Sequence, residues 1–449
     1  RGQVIEKTTG NGLEGATIYI KNYENICNTS SGINASFVIK KVPVGRHDIV
    51  TRCIGYYPTE ISNIMVNSGK EVYLSIELEE SISEVEEVVV TLDKKRNSVK
   101  NEMAFVSARG YTIEETEKYA GSLGDVARMA VNYSGVTSLS DQQNEIIIRG
   151  NSPVGLLWRM NGVDIPNPNH FSEVGSTGGA LSIINNNVLL NSDFYTSAFP
   201  AKYGNTISGV FDIIMRNGNN QHHENTAQVA FNGIEIGTEG PIKKMQDSIY
   251  NPSFLAYFRY STMELVDKII GLRKLDVTEI PNYEDLSFKI NIPSKKYGTF
   301  SIWGIGGKSS IFPNDNVDDT TTWKNKYMGT FVSFSSEMRI LALSNKYFPN
   351  NRSSMQINLY TTYSKTSFRE DTFTIINRIP NFKEEMNNNN VKYGINGDIN
   401  YKISNKTIFN SGLTADLQRY KYTESKYDKN IKNHYWPTKI LNKGYRPKV

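Results

Sequence analysis

From residue 225 onward the chain alternates apolar and polar residues with a period of two. In 390–403, Val391, Tyr393, Ile395, Ile399, Tyr401 and Ile403 share one face, with Gly397 among them. Asn390, Lys392, Asn396, Asp398, Asn400 and Lys402 share the other. Leu286, Phe288, Ile290 and Ile292 alternate with Ser287, Lys289 and Asn291, and Phe409, Leu413, Ala415 and Leu417 with Asn410, Thr414, Asp416 and Gln418. A two-residue period means strands, because successive side chains point to opposite faces. Strands with one apolar and one wet face fit a sandwich, which turns the apolar face inward. They also fit a membrane barrel, which turns it toward lipid around a wet lumen. Strand length, tyrosines near strand ends (Tyr401, Tyr420, Tyr422) and unequal loops favour the barrel.

Composition agrees with many half-wet strands: 38% of the 449 residues are hydrophobic, with 26 Tyr and 19 Phe. No run of 18 apolar residues exists, so no transmembrane helix is expected. A net charge of +4 is too mild to argue for nucleic acid. Arg1 starts directly in a strand-like run, which suggests a processed or trimmed chain. Cys27 in a polar loop and Cys53 in a strand-like run leave a disulfide and two isolated thiols both open.

Ahead of the alternating region, 145–217 holds short β-rich runs punctuated by Gly, Asn and Pro. They are Ile146-Ile147-Ile148-Arg149-Gly150, Trp158-Arg159-Met160-Asn161-Gly162-Val163-Asp164-Ile165-Pro166, Tyr203-Gly204-Asn205, and Ser208-Gly209-Val210-Phe211-Asp212-Ile213. Alone, they predict a compact α+β domain with several loops. Their order resembles the plug domain of TonB-dependent outer-membrane receptors. The resemblance implies an α+β plug over 101–220 and a partial antiparallel transmembrane β-barrel over 221–449. It also implies uptake of an extracellular ligand into the periplasm and no cofactor. By the same resemblance, the loops after Arg149-Gly150 and after the Asn161-Gly162-Val163 strand form the plug apex. Asn151, Ser152, Asn167, Asn169, His170 and Phe171 are therefore candidate ligand contacts. Arg149 and Arg216 are expected to position the plug by pairing with acidic groups on the barrel wall.

Residues 1–80 carry short alternating runs separated by turns, which predicts a small β-sandwich. Gly12-Leu13-Glu14-Gly15-Ala16-Thr17-Ile18 and Ile54-Gly55-Tyr56-Tyr57 resemble the carboxypeptidase-regulatory-like domain, which precedes the plug in Bacteroidetes-type receptors and is not catalytic there. Residues 81–100 form a charge-dense linker around one β-branched island, Val88, Val89, Val90 and Thr91, preceded by Glu86 and Glu87. Such an island can add as a strand to another protein's sheet edge or form a last strand of the preceding sandwich. Its place before the plug matches a TonB box, which implies TonB as partner, with sandwich and box in the periplasm. A surface lipoprotein lid or other outer-membrane subunits are further partners that the resemblance allows.

A helix is expected from Thr112, with Glu114 and Glu115 in its first turn and Leu123, Val126, Ala127 and Ala130 on one face. In the alternating region, strands are expected near 225–231, 234–241, 252–261, 284–293, 298–308, 338–348, 353–367, 390–403 and 407–422. Short turns follow the fourth, sixth and eighth, and long loops the third, fifth and seventh, as in a barrel whose first strand starts in the periplasm. This gives about nine of an expected ~22 strands for a plugged outer-membrane transporter. Open edges in lipid leave backbone groups unpaired. The chain is therefore expected to be the front part of a longer barrel protein, or to be completed by another chain as a structural or accessory subunit. No enzyme motif is built: His170-Phe171-Ser172-Glu173 has zinc-peptidase H-x-x-E spacing but lacks the rest of that site.

Overall fold

A computed structural model of the chain describes residues 1–449 except 8, 34, 67–70, 82–106, 112–115, 117–118, 120, 123, 139, 141–142, 191, 231–232, 245–250, 264–268, 270–280, 295, 313–327, 351, 375–380, 405–406, 428–437 and 449. The architecture is mainly β. Seven strands make a front domain: β1 (Gly2–Glu6), β2 (Thr17–Ile20), β3 (Asn28–Ser30), β4 (Ser36–Phe37), β5 (Gly45–Arg52), β6 (Thr59–Val66) and β7 (Leu74–Leu78). They form two sheets, ordered β4-β1-β7 and β3-β2-β5-β6. Val4, Phe37, Ile76 and Leu78 of the first meet Ile18, Ile20, Ile49 and Ile64 of the second in one core. Cys27 is buried in that core, and both Cys27 and Cys53 are free thiols.

A small domain follows, built on β8 (Ala108–Tyr111), α1 (Val126–Ala130), β9 (Val136–Ser138), β10 (Ile146–Ile148), β11 (Leu156–Met160), β12 (Val163–Ile165), β13 (Asn169–His170), β14 (Leu181–Ser182), β15 (Ser192–Tyr195) and β16 (Gly209–Ile213). Its central sheet runs β12-β11-β16-β15-β8, with β11 and β16 parallel. Asn161 and Gly162 make the two-residue turn from β11 to β12, both at positive φ (49° and 85°). That is the reason for Asn-Gly at this point: an inverse-type hairpin turn needs two left-handed residues. Trp158, Phe194 and Phe211 stack in a row, with ring centroids 4.4 Å apart at each step. The expected run is not one continuous helix: Thr116 is helical, and α1 is a separate element. Gly121 and Gly124 stand at φ of 79° and 71°, which no right-handed helix contains, and α1 starts only at Val126. The expected start at 112–115, and Leu123, lie outside the described residues.

The remainder is one antiparallel sheet of ten strands in chain order: β17 (Glu224–Ala230), β18 (Gly233–Pro241), β19 (Ser253–Tyr260), β20 (Asn282–Ser294), β21 (Gly298–Ile311), β22 (Met328–Asn350), β23 (Ser353–Thr374), β24 (Asn381–Ser404), β25 (Thr407–Lys426) and β26 (Thr438–Lys448). The tenth strand corrects the count of about nine. Its sequence, TKILNKGYRPK, has no clean period of two, yet it pairs with β25 from Thr414↔Lys448 to Glu424↔Thr438. The later strands also outrun their apolar pattern. Asn387–Asn390 has no apolar face, but its backbone continues the ladder to β23, where Asn388 lies opposite Thr366. Among the described residues β17 and β26 are the edges and no pairing closes the sheet.

The two faces of this sheet differ. One is exposed and apolar, with Leu286, Leu343, Ile357, Leu359, Ile395 and Leu413 between 43% and 58% accessible. The other packs on the small domain. There Leu255, Tyr257, Trp303, Ile305, Met338, Ile340, Ala342 and Tyr360 enter the same core as Trp158, Ile183, Phe211 and Ile213 of the small domain. The sheet face expected to be uniformly polar is thus apolar in the middle strands, because it meets protein there rather than water. Among the described residues no helix is long and apolar enough to cross a membrane, which says nothing about strands.

Candidate functional site: the seam between small domain and large sheet

Several groups of polar side chains cross this seam, among them Asn185 and Asn187, which both donate to Glu235 on β18 (3.1 and 2.6 Å), and three further groups. The first is at the end of β16. Arg216 donates from Nη1 and Nη2 to Oε2 and Oε1 of Glu239 on β18, at 2.6 Å each, and from Nη2 to the Tyr257 hydroxyl on β19 at 3.1 Å. Burial works against the Arg216 charge, but the hydrogen bonds and charge of Glu239 outweigh it and hold the guanidinium above its ordinary value. Beside it, Lys289 on β20 donates its Nζ to the Met215 carbonyl at 2.8 Å. A planar fork against a carboxylate fixes direction as well as distance.

The second group lies at β13. His170, fully buried, places Nε2 2.9 Å from Oδ2 of Asp285 on β20. Arg259 on β19 donates Nε to the same carboxylate, at 2.9 Å to Oδ1, and Nη2 to the carbonyls of Ser182 (2.8 Å) and Ile183 (3.0 Å). Burial lowers the His170 pKa, against the hydrogen bond and charge of Asp285. Its Nδ1 is buried without a hydrogen-bond partner, and Nε2 faces the acceptor-only carboxylate of Asp285, to which it donates. The wall makes room for the ring at Gly307 on β21, where a Cβ would come within 2.8 Å of His170 Cε1 and 3.1 Å of Asp285 Cβ. Next to it, the Phe171 and Ser172 amides donate to the hydroxyls of Ser309 (2.8 Å) and Ser336 (3.3 Å).

The third group is amide-based. Gln356 Nε2 on β23 donates to the Asn161 carbonyl (2.9 Å), and Asn396 Nδ2 on β24 donates to the Gly162 carbonyl (2.8 Å). The β11–β12 turn is therefore gripped by its backbone, independent of its side chains.

Behind the seam, Asp125 ties the interior of the small domain together. Its Oδ1 caps α1 through the amides of Ala127 (2.7 Å) and Arg128 (3.1 Å), and its Oδ2 accepts from Asn144 Nδ2 at 2.6 Å. Asn144 Nδ2 also donates to Asn169 Oδ1 at 2.7 Å, and Asn169 Nδ2 to Asn167 Oδ1 at 2.6 Å. Burial raises the Asp125 pKa against these hydrogen bonds.

These facts rearrange the residues singled out from sequence. Asn151 and Ser152 are exposed. Asn169 and His170 are buried, and their side chains are engaged by protein groups, so neither is presented to a ligand in this structure. Asn167 is half-buried and donates to the carbonyls of Ser176 and Gly178, and Phe171 stands at φ 58° with its ring half-buried. Arg216 has an acidic partner on the large sheet, whereas among the described residues Arg149 has none there. Arg149 Nη2 reaches Ser107 Oγ (2.8 Å) and Thr196 Oγ1 (3.5 Å), so it spans the ends of β8 and β15 inside the small domain. Glu86, Glu87, Val88, Val89, Val90 and Thr91 lie outside the described residues. Glu239, Arg259, Asp285, Asp125 and Asn144 were not singled out. The signal for the first three was strand parity, since each falls on the face turned to the small domain.

Among the described residues no group of three or more His, Cys, Asp and Glu is placed to hold a metal. What the seam can do is hold two bodies in one register through directional polar contacts set around a shared hydrophobic core.

Residues 1–90 match the family model of the CarboxypepD_reg-like domain. No curated protein matches the chain. Among solved structures, the chain is similar to the ferric yersiniabactin uptake receptor FyuA from Yersinia pestis (9% identity, TM-score 0.46, 76% of this chain and 61% of that one). It is similar to the outer membrane transporter YddB from Escherichia coli (11% identity, TM-score 0.45, 76% and 53%). It is also similar to the ferric-catecholate import receptor Fiu from E. coli K12 (9% identity, TM-score 0.41, 76% and 65%). The chain thus spans between 53% and 65% of the length of these three proteins.

Proposed function

We propose that this chain belongs to a TonB-dependent outer-membrane transporter that takes an extracellular ligand into the periplasm. In this reading residues 1–80 are a periplasmic sandwich, 81–100 a linker with the TonB box, 101–220 the plug and 221–449 part of the barrel wall. The observation that carries it is the two-faced sheet: an apolar face left exposed over several strands, and an opposite face filled by the small domain. A contiguous apolar surface of this extent is not left to water. Lipid covers it without requiring any polar group to be buried. The edges β17 and β26 then need strand partners, because unpaired backbone groups in hydrocarbon cost several kcal/mol each.

Ligand binds on the long-loop side, where Asn151 and Ser152 are exposed. TonB adds to Glu86–Thr91 as a strand, and force on that segment parts the seam at Arg216–Glu239 and His170–Asp285. Deleting Glu86–Thr91 tests the reading. Ligand accumulation should fall to background while the protein still reaches the outer membrane. Unchanged accumulation would leave a scaffold role for the same architecture.

A further inference from the structure

The front domain touches the rest of the molecule at two separated places on the short-turn end of the large sheet. Lys402, two residues before the end of β24, places Nζ 2.9 Å from Glu6 Oε1 and also binds Glu80. Nearby, Asn11 Nδ2 donates to the Asn350 carbonyl at the β22–β23 turn (3.4 Å), and Gly10 lies against Lys346 and Phe348. The second place is the lead-in to β17, where Asn219 Nδ2 is shared by Glu71 (2.9 Å) and Glu224 (2.6 Å). The domain therefore reaches from the first strand of the sheet to the eighth, across the end that carries the turns at 294–298, 350–353 and 404–407.

The nature of these contacts differs from the seam above. The small domain and the large sheet share one hydrophobic core. The core of the front domain contains only its own residues. Its attachment is polar: one lysine between two carboxylates, shared amide bonds, and Arg1 Nη1 donating to Asn220 Oδ1 (3.3 Å) beside Glu71. Desolvating three charges for one lysine's attraction gives little net stabilisation, and what it gives is screened by salt. A fused core opens only at large cost, whereas a contact of this kind opens and recloses.

We propose that the front domain is a releasable cap over the short-turn end of the sheet, latched by Lys402 between Glu6 and Glu80. Under the transport reading, that end is where ligand leaves, so the cap must swing away for passage. The docking itself does not depend on that reading.

The test uses the full chain in detergent, with Asn11→Cys and Asn350→Cys joined by a short bismaleimide, and the 11–350 cross-linked peptide quantified by mass spectrometry. Wild-type Lys402 should give high yield at low salt, falling several-fold as ionic strength approaches about 1 M. Lys402→Glu should lower the low-salt yield about tenfold, because it places a third carboxylate against two. Lys402→Arg should retain it. Lys402 lies outside the front domain, so these substitutions leave that domain's own core intact. Yield that is low in every variant would mean that the domain is not docked. High yield indifferent to salt and to Lys402→Glu would mean that it is docked but not latched there. Either result overturns the proposal, and neither touches the outcome of the Glu86–Thr91 deletion.

Discussion

Arg216 and Glu239 face each other across the seam as a two-point pair, with two N–O distances of 2.6 Å and both side chains at least nine-tenths buried. Removing one partner strands the other charge away from water. Arg216→Ala should therefore cost about 3 kcal/mol, at the lower end of values for broken buried pairs. The loss should be visible as a lower denaturation midpoint in fluorescence-monitored unfolding. Arg216→Ala with Glu239→Ala should recover part of it. If the double variant is no better than the single one, the pair is not the cause.

His170 makes the seam sensitive to acid. Burial lowers its pKa in the folded protein, with Asp285 only partly compensating. The unfolded chain takes up a proton near pH 6.5, and the folded chain only at lower pH. The contribution of His170 to stability is thus complete above about pH 6.5 and is lost as the pH falls through that value toward the folded pKa. Between about pH 7.5 and pH 5.5, wild type should lose more thermal stability than His170→Gln. Equal losses would remove His170 from the account.

Gly307 tests whether the fit of the ring to the wall matters. A methyl group there would lie 2.8 Å from His170 Cε1 and 3.1 Å from Ile183 Cγ1. Gly307→Ala should cost about 1–3 kcal/mol by overpacking and raise hydrogen exchange at His170 and Phe171. Exchange unchanged at both would show that the loop does not rest on this strand.

Asp125 joins the α1 cap to the amide chain inside the small domain. Asp125→Ala removes the α1 cap and leaves Asn144 short of an acceptor, about 2 kcal/mol in sum. Asp125→Asn keeps the cap oxygen and should cost less. Chemical denaturation of both variants gives the order, and a reversed order would contradict the assignment.

Much of this fold was legible because strand parity is a strong physical signal. Leu286 and Ser287 already sit on opposite faces in the sequence, and they do so in the structure, at 43% and 0% exposure. The signal failed where the backbone ladder continues without an apolar face, as at Asn387–Asn390 and in β26. It also could not say what the inner face meets. Trp303 and Ile340 look like exceptions to a polar lumen until the small domain is set against them. The site was harder to read. His170 carried the chemistry that suggested a ligand contact, but its partners, Asp285 and Arg259, lie 115 and 89 residues away on strands whose charges look like ordinary wet-face residues. Arg149 and Arg216 each follow a short strand of the small domain, and nothing local distinguishes the one that reaches the large sheet from the one that reaches Ser107 and Thr196.

The central claim is that a TonB-pulled segment lies ahead of the small domain. The most direct measurement is calorimetric titration of the detergent-solubilised full chain with the periplasmic domain of TonB, for wild type and for the Glu86–Thr91 deletion. The account expects saturable binding by wild type and none by the deletion. Equal binding by both, or none by either, would contradict it.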